Sequence, residues 1–178
     1  MIGDLSLIVR NNYNQRDDEA ATILKIEETA AMLNRELKTD VFKTYKEPEY
    51  NNYYVYDSRK KSDFMEITIY NGFWMIDTAW RYFQYFDIYE GKLWLRDLMY
   101  KYVKLLGGTE AYATIEYCTW NSKFWKDEKT TFDDWFNGCT AELGHPIESL
   151  DIADVMNRKE GEIYNKEHIY LDSYKDLE

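Results

Sequence analysis

Asn71-Gly72 stands between two β-rich runs, residues 63–70 (DFMEITIY) and residues 73–80 (FWMIDTAW). A type I′ turn needs positive φ at both of its central residues, and Asn-Gly supplies this at least steric cost. A two-residue turn also leaves the register no freedom. It pairs Tyr70 with Phe73, Ile69 with Trp74, Ile67 with Ile76 and Met65 with Thr78. Met65, Ile67, Ile69, Trp74 and Ile76 then share one face, the predicted core face. The same register sets Glu66 opposite Asp77 on the other face. A helix over 73–86, with Asp77, Arg81 and Gln84 as its polar stripe, competes with this reading. The hairpin is preferred, with the strand running to Ala79 and bending afterwards.

The rest of the chain supplies partners for that hairpin. Residues 5–10 (LSLIVR) read as a strand. Asp17, Asp18 and Glu19 open a helix to about Lys38, its apolar stripe being Ile23, Ile26, Ala30, Leu33 and Leu37. Residues 41–49 read as irregular, residues 50–57 (YNNYYVYD) as a strand, and residues 58–62 (SRKKS) as a basic turn. Asp87 and Glu90 have capping-box spacing ahead of a helix over 89–106, which Gly107-Gly108 closes. Its buried face is read as Leu95, Leu98, Tyr102 and Leu105. Residues 110–120 read as a strand. Thr131 caps a helix over 132–143, residues 147–156 are a short helix or irregular, and residues 169–171 form a last short strand.

The expected fold class is therefore α+β. A single, mostly antiparallel sheet has element order β-α-β-β-β-α-β, with helices on one face and a helical acidic C-terminal extension. At 178 residues the expectation is one domain over 1–178, with a sheet core over 1–120 and the extension over 121–178 packed on it. A chain of this length buries roughly 70% of its unfolded surface, so no staples are needed.

Charge separates the two parts. Residues 1–126 hold 19 acids and 17 bases, a net of −2; residues 127–178 hold 14 acids and 5 bases, a net of −9. Together these give the net charge of −11. Such a balance disfavours nucleic acid and anionic membrane as partners and favours a basic protein. No run approaches the ~20 apolar residues of a membrane span, and the first residues lack a basic segment ahead of an apolar one. Two cysteines, Cys118 and Cys139, suit a reducing cytoplasm.

No catalytic motif stands out. Neither His145 nor His168 has a second ligand at metal spacing, so no metal and no cofactor are expected. Cys139 near His145 is the sole thiol–imidazole pairing by sequence, and Cys139 reads as a small buried residue. Glu66, Asp77 and Arg81 would form a carboxylate pair with a counter-ion if they converged in a cleft, the arrangement of an enzyme's acid–base site. The 17 Tyr and 6 Trp are the other candidate chemistry, since both are rigid amphipathic contacts at interfaces and in pockets.

The reading favoured is a small cytoplasmic inhibitor or immunity-type protein that neutralises a basic partner such as a nuclease toxin, rather than an enzyme. Its expected contacts are Asp133, Asp134, Trp135, Glu142, Glu148, Asp151, Asp154, Glu160 and Glu162, with Trp80, Tyr82 and Tyr85 as aromatic anchors. A ligand-binding or sensor domain with an aromatic-lined pocket is the second reading, and the Glu66–Asp77–Arg81 enzyme the third. A homodimer would follow if the Tyr-rich strand at 50–57 lay at the sheet edge.

Overall fold

The computed structural model describes residues 5–10, 19–48, 52–70, 72–78, 89–115, 129–148 and 169–178. Within them the strands are β1 (Leu5–Arg10), β2 (Phe42–Lys46), β3 (Asn52–Asp57), β4 (Ser62–Tyr70), β5 (Phe73–Thr78), β6 (Ala111–Ile115), β7 (Ile147–Glu148) and β8 (Tyr170–Asp172). The helices are α1 (Glu19–Leu37), α2 (Tyr89–Leu105) and α3 (Phe132–Leu143). All eight strands form one sheet in the order β2-β3-β4-β5-β1-β6-β8-β7. Every pairing is antiparallel except β7 with β8. This is an α+β fold, and no described helix is long and apolar enough to cross a membrane.

The central hairpin has the register that its turn dictates. Tyr70 faces Phe73, Ile69 faces Trp74, Ile67 faces Ile76 and Met65 faces Thr78. Residues 73–78 are strand, and residues 79–88 lie outside the described residues. Gly72 takes φ 84°, as the turn requires. Met65, Ile67, Ile69, Trp74 and Ile76 are all buried in one cluster with Leu7 and Val9 of β1 and with Ile26, Leu33, Leu98, Tyr102 and Val103 of α1 and α2.

The opposite face is also packed. Ile8, Phe73, Met75 and Tyr112 meet Phe132, Trp135 and Cys139 of α3. Two helices thus cover one face and the third covers the middle of the other. That explains why Leu7, Ile8 and Val9, consecutive in β1, are all buried.

Two segments differ from their sequence reading. Residues 42–46 are a strand rather than irregular, and residues 147–148 are a strand parallel to β8. Phe42-Lys43-Thr44-Tyr45-Lys46 has only one apolar face and two lysines, a pattern suited to a sheet edge but weak as a strand signal. Consequently β3 lies inside the sheet and β2 is the outer strand, which removes the edge role expected of 50–57. Asn34 closes part of that edge: its side-chain amide donates to the Phe42 carbonyl at 2.9 Å and accepts from the Phe42 N–H at 3.0 Å. One amide group thereby does for Phe42 what another strand would do.

The register between β3 and β4 slips once. Val55 faces Met65 while Tyr56 faces Asp63, leaving Phe64 as an extra residue. The bulge turns Phe64 and Met65, adjacent in sequence, into the same core. The α1 stripe is also rotated from its expected position. Thr22, Ile26, Thr29, Ala30 and Leu33 are buried, whereas Ile23 and Leu37 are exposed. Thr29 is tolerated in the core because its hydroxyl donates to the Ile26 carbonyl at 2.6 Å.

Helix α2 ends in a Schellman arrangement. Gly108 N–H reaches the Val103 carbonyl at 2.8 Å and Gly107 N–H the Lys104 carbonyl at 3.1 Å, with Gly107 at φ 86°. The two glycines serve different needs. A Cβ on Gly107 would meet open space, but one on Gly108 would sit 2.4 Å from Val9 Cγ1 of β1. Gly108→Ala is expected to lower stability by about 1–3 kcal/mol through overpacking against β1. Gly107→Ala is expected to cost about 1 kcal/mol from backbone strain alone. Denaturant midpoints of the two variants, with Val9→Ala added to each, check this. Val9→Ala should recover part of the Gly108→Ala loss and none of the Gly107→Ala loss.

Candidate functional site

The acidic residues singled out in the last third have unequal roles. Thr131 caps α3, accepting from the Asp134 N–H at 3.2 Å. The Asp134 carboxylate answers by accepting from the Thr131 N–H at 3.1 Å and its hydroxyl at 2.7 Å. Asp134 is thus a capping-box residue whose charge also suits the helix N-terminus. Trp135 is fully buried between α3 and the sheet, so it is a core residue and not a surface anchor. The amphipathic period explains this: Phe132, Trp135 and Cys139 share the inward face of α3.

Asp133, Glu142 and Glu148 are exposed. Arg10 reaches Asp133 at 3.4 Å and stacks its guanidinium over Phe132, 4.9 Å from the ring centroid. Lys175 reaches Glu148 at 3.3 Å. Both partners of each pair are largely exposed, so each pair contributes little to stability. Trp80, Arg81, Tyr82, Tyr85, Asp151, Asp154, Glu160 and Glu162 lie outside the described residues, as do Cys118 and His168. Cys139 is buried and His145 is exposed.

The carboxylate pair of the hairpin does form as cross-strand neighbours, Glu66 opposite Asp77. Asp77 is buried and Glu66 is half-buried. Asn52 of β3 donates to Glu66 Oε1 at 2.7 Å, which ties the pair to the Tyr-rich strand 52–57 and, through it, to β2, which the sequence did not announce. On that face of β2, β3 and β4, beside the part covered by α3, Tyr45 lies directly across from Tyr54 and Tyr56 lies across from Asp63. The Tyr45 and Tyr54 rings stack at 4.8 Å with 13° between their planes, and Tyr56 meets Tyr45 edge-on at 5.5 Å.

Hydroxyls from this aromatic floor hold the flanking carboxylates. Tyr45 donates to Asp63 Oδ1 at 3.2 Å and Tyr54 donates to Glu47 Oε2 at 3.1 Å. Burial, followed by the charge of Asp63 and its hydrogen bond, pushes the Tyr45 hydroxyl up to about 12. The Tyr54 hydroxyl is pushed up as well, by burial first and then by Glu66 and Glu47 against a lowering bond from Asn52. Both remain protonated donors at neutral pH.

A second polar cluster also escaped the sequence reading, and its character is structural. Arg96 of α2 is buried and grips two carboxylates, Asp172 side-on and Asp176 end-on. Its Nε and Nη2 donate to Asp172 at 2.8 and 2.9 Å, and its Nη1 and Nη2 donate to Asp176, both at 2.7 Å. Its guanidinium also faces the ring of Tyr174, 5.5 Å from the centroid. Among the described residues, no group of three or more His, Cys, Asp or Glu side chains is arranged to hold a metal ion.

Comparison with known proteins gives no identity: no family model, no curated protein and no solved structure matches this chain.

Proposed function

We propose that this protein binds and neutralises a basic protein, as a cytoplasmic inhibitor of the immunity type. The observation that carries this reading is the charge of residues 127–178, net −9, whose carboxylates at Asp133, Glu142 and Glu148 stand exposed on α3 and β7. The local cations near two of them, Arg10 and Lys175, are exposed and held at 3.3–3.4 Å, so a partner's lysines or arginines can replace them at small cost. A field of this sign draws in basic partners and raises their association rate, which is what neutralising a toxin requires.

The test uses the immobilised chain at low and moderate salt against lysate of the source cells, followed by the Glu142→Lys, Glu148→Lys double variant. One basic protein retained in stoichiometric amount, released by salt and weakened by the charge reversal, supports the reading. Retention indifferent to both salt and charge reversal, or a retained protein that is not basic, overturns it.

A further inference from the structure

We propose that the open face of β2, β3 and β4 is the seat of an arginine-bearing segment of that basic partner. This rests on the reading above that the partner is basic, and it names the surface and the side chain that surface fits.

The face is laid out in rows by the strand register. One row holds Tyr45, Tyr54, Glu66 and Asp77; the neighbouring row on one side holds Lys43, Tyr56 and Asp63. On the other side are Glu47 and Asn52, joined by the bond from the Glu47 N–H to the Asn52 carbonyl. Glu47, Asp63 and Glu66 thus place three carboxylates on this face among the described residues of β2, β3 and β4, beside the cation of Lys43. Glu47 and Asp63 form no ion pair among the described residues; each accepts one bond from a neutral tyrosine hydroxyl. Such a bond orients a carboxylate and leaves its charge in place. Tyr45 is still 43% exposed, while Glu47, Tyr54, Tyr56, Asp63 and Glu66 are half-buried, so the aromatic floor is reached from the Tyr45 side.

This combination selects arginine over lysine. A guanidinium is planar, stacks on an aromatic face and donates through a fork that matches a carboxylate. An ammonium can sit over a ring, as Lys46 does over Tyr53 at 5.5 Å, but it is more strongly hydrated and has neither a plane to stack nor a fork to match a carboxylate. The Arg10–Phe132–Asp133 contact on α3 is the same chemistry within the chain: a guanidinium over a ring, 3.4 Å from a carboxylate. The adjacent sheet edge is a poorer seat for an extended segment, because Asn34 already occupies Phe42.

The probe is a tri-arginine peptide with blocked ends, titrated into the isotopically labelled full chain at physiological salt, with tri-lysine as the comparison. Expected are saturable amide shifts concentrated in residues 43–47, 52–56 and 63–66, with weaker binding of tri-lysine. Tyr45→Ala and Asp63→Asn should each weaken tri-arginine binding roughly three- to fivefold. Asp63→Asn keeps the shape of the site and so separates lost charge from any disturbance caused by Tyr45→Ala. Shifts concentrated in 132–148, equal binding of the two peptides, or no effect of both variants overturns the proposal. If the retained basic protein still responds to the Glu142→Lys, Glu148→Lys reversal, only this placement falls; if neither surface responds, the binding reading falls with it.

Discussion

Arg96→Met is expected to destabilise the fold by about 3–5 kcal/mol. The loss is far more than a surface ion pair would give, because Asp172 is only 1% exposed and would be left as an uncompensated buried carboxylate. It would keep the Tyr174 N–H at 2.9 Å but lose both guanidinium bonds. For a chain of this length the melting temperature should drop by about 10 °C or more. Adding Asp172→Leu should return much of the loss, since removing both buried charges removes the penalty. A double variant no more stable than Arg96→Met would show that the contribution of Arg96 is packing rather than charge.

The same grip implies an acid limb. The Asp176 carboxyl is held below the usual carboxylate range, chiefly by its bonds from Arg96, against an opposing effect of burial. A depressed carboxyl contributes stability that is fully present above its unfolded pKa near 4 and is lost as pH falls through the lower folded value. The stability gap between the parent chain and Arg96→Met should therefore narrow in strong acid. Denaturant midpoints of the two proteins between pH 2 and pH 7 check the sign.

Trp135→Ala is expected to cost about 3–5 kcal/mol, the range for emptying a large aromatic site. Its indole lies among Phe132, Tyr112 and Phe136, at centroid distances of 5.8, 6.4 and 6.4 Å, and is fully buried. Trp135→Phe should lose less, because a smaller void remains. The loss should appear in equilibrium unfolding, while the folded fraction keeps its affinity for a basic partner. Unchanged stability together with lost binding would place Trp135 at the surface after all.

Trp135 illustrates where reading the chain falls short. An aromatic beside Asp133 and Asp134 looks like an interface anchor, but successive helix positions are rotated by about 100°, so neighbours within a single turn face opposite ways. The acids face solvent while Phe132, Trp135 and Cys139 face the sheet. Glu66 and Asp77 were legible because a two-residue turn dictates its pairing. The contacts made by Tyr45, Glu47 and Asp63 were not legible, because they depend on β2 joining β3. That pairing has no tight turn of type Asn-Gly to announce it.

What the sequence by itself determined is local: the hairpin register from Asn71-Gly72, the Thr131 cap and the glycine end of α2. Each follows from backbone sterics or from spacing within one or two turns. Only the tertiary structure decided that β1 lies inside the sheet between β5 and β6, that α3 covers the second face, and that Arg96 meets Asp172 across 76 residues of chain. Those contacts depend on which faces are left to bury once the sheet has formed, and no short-range pattern carries that information.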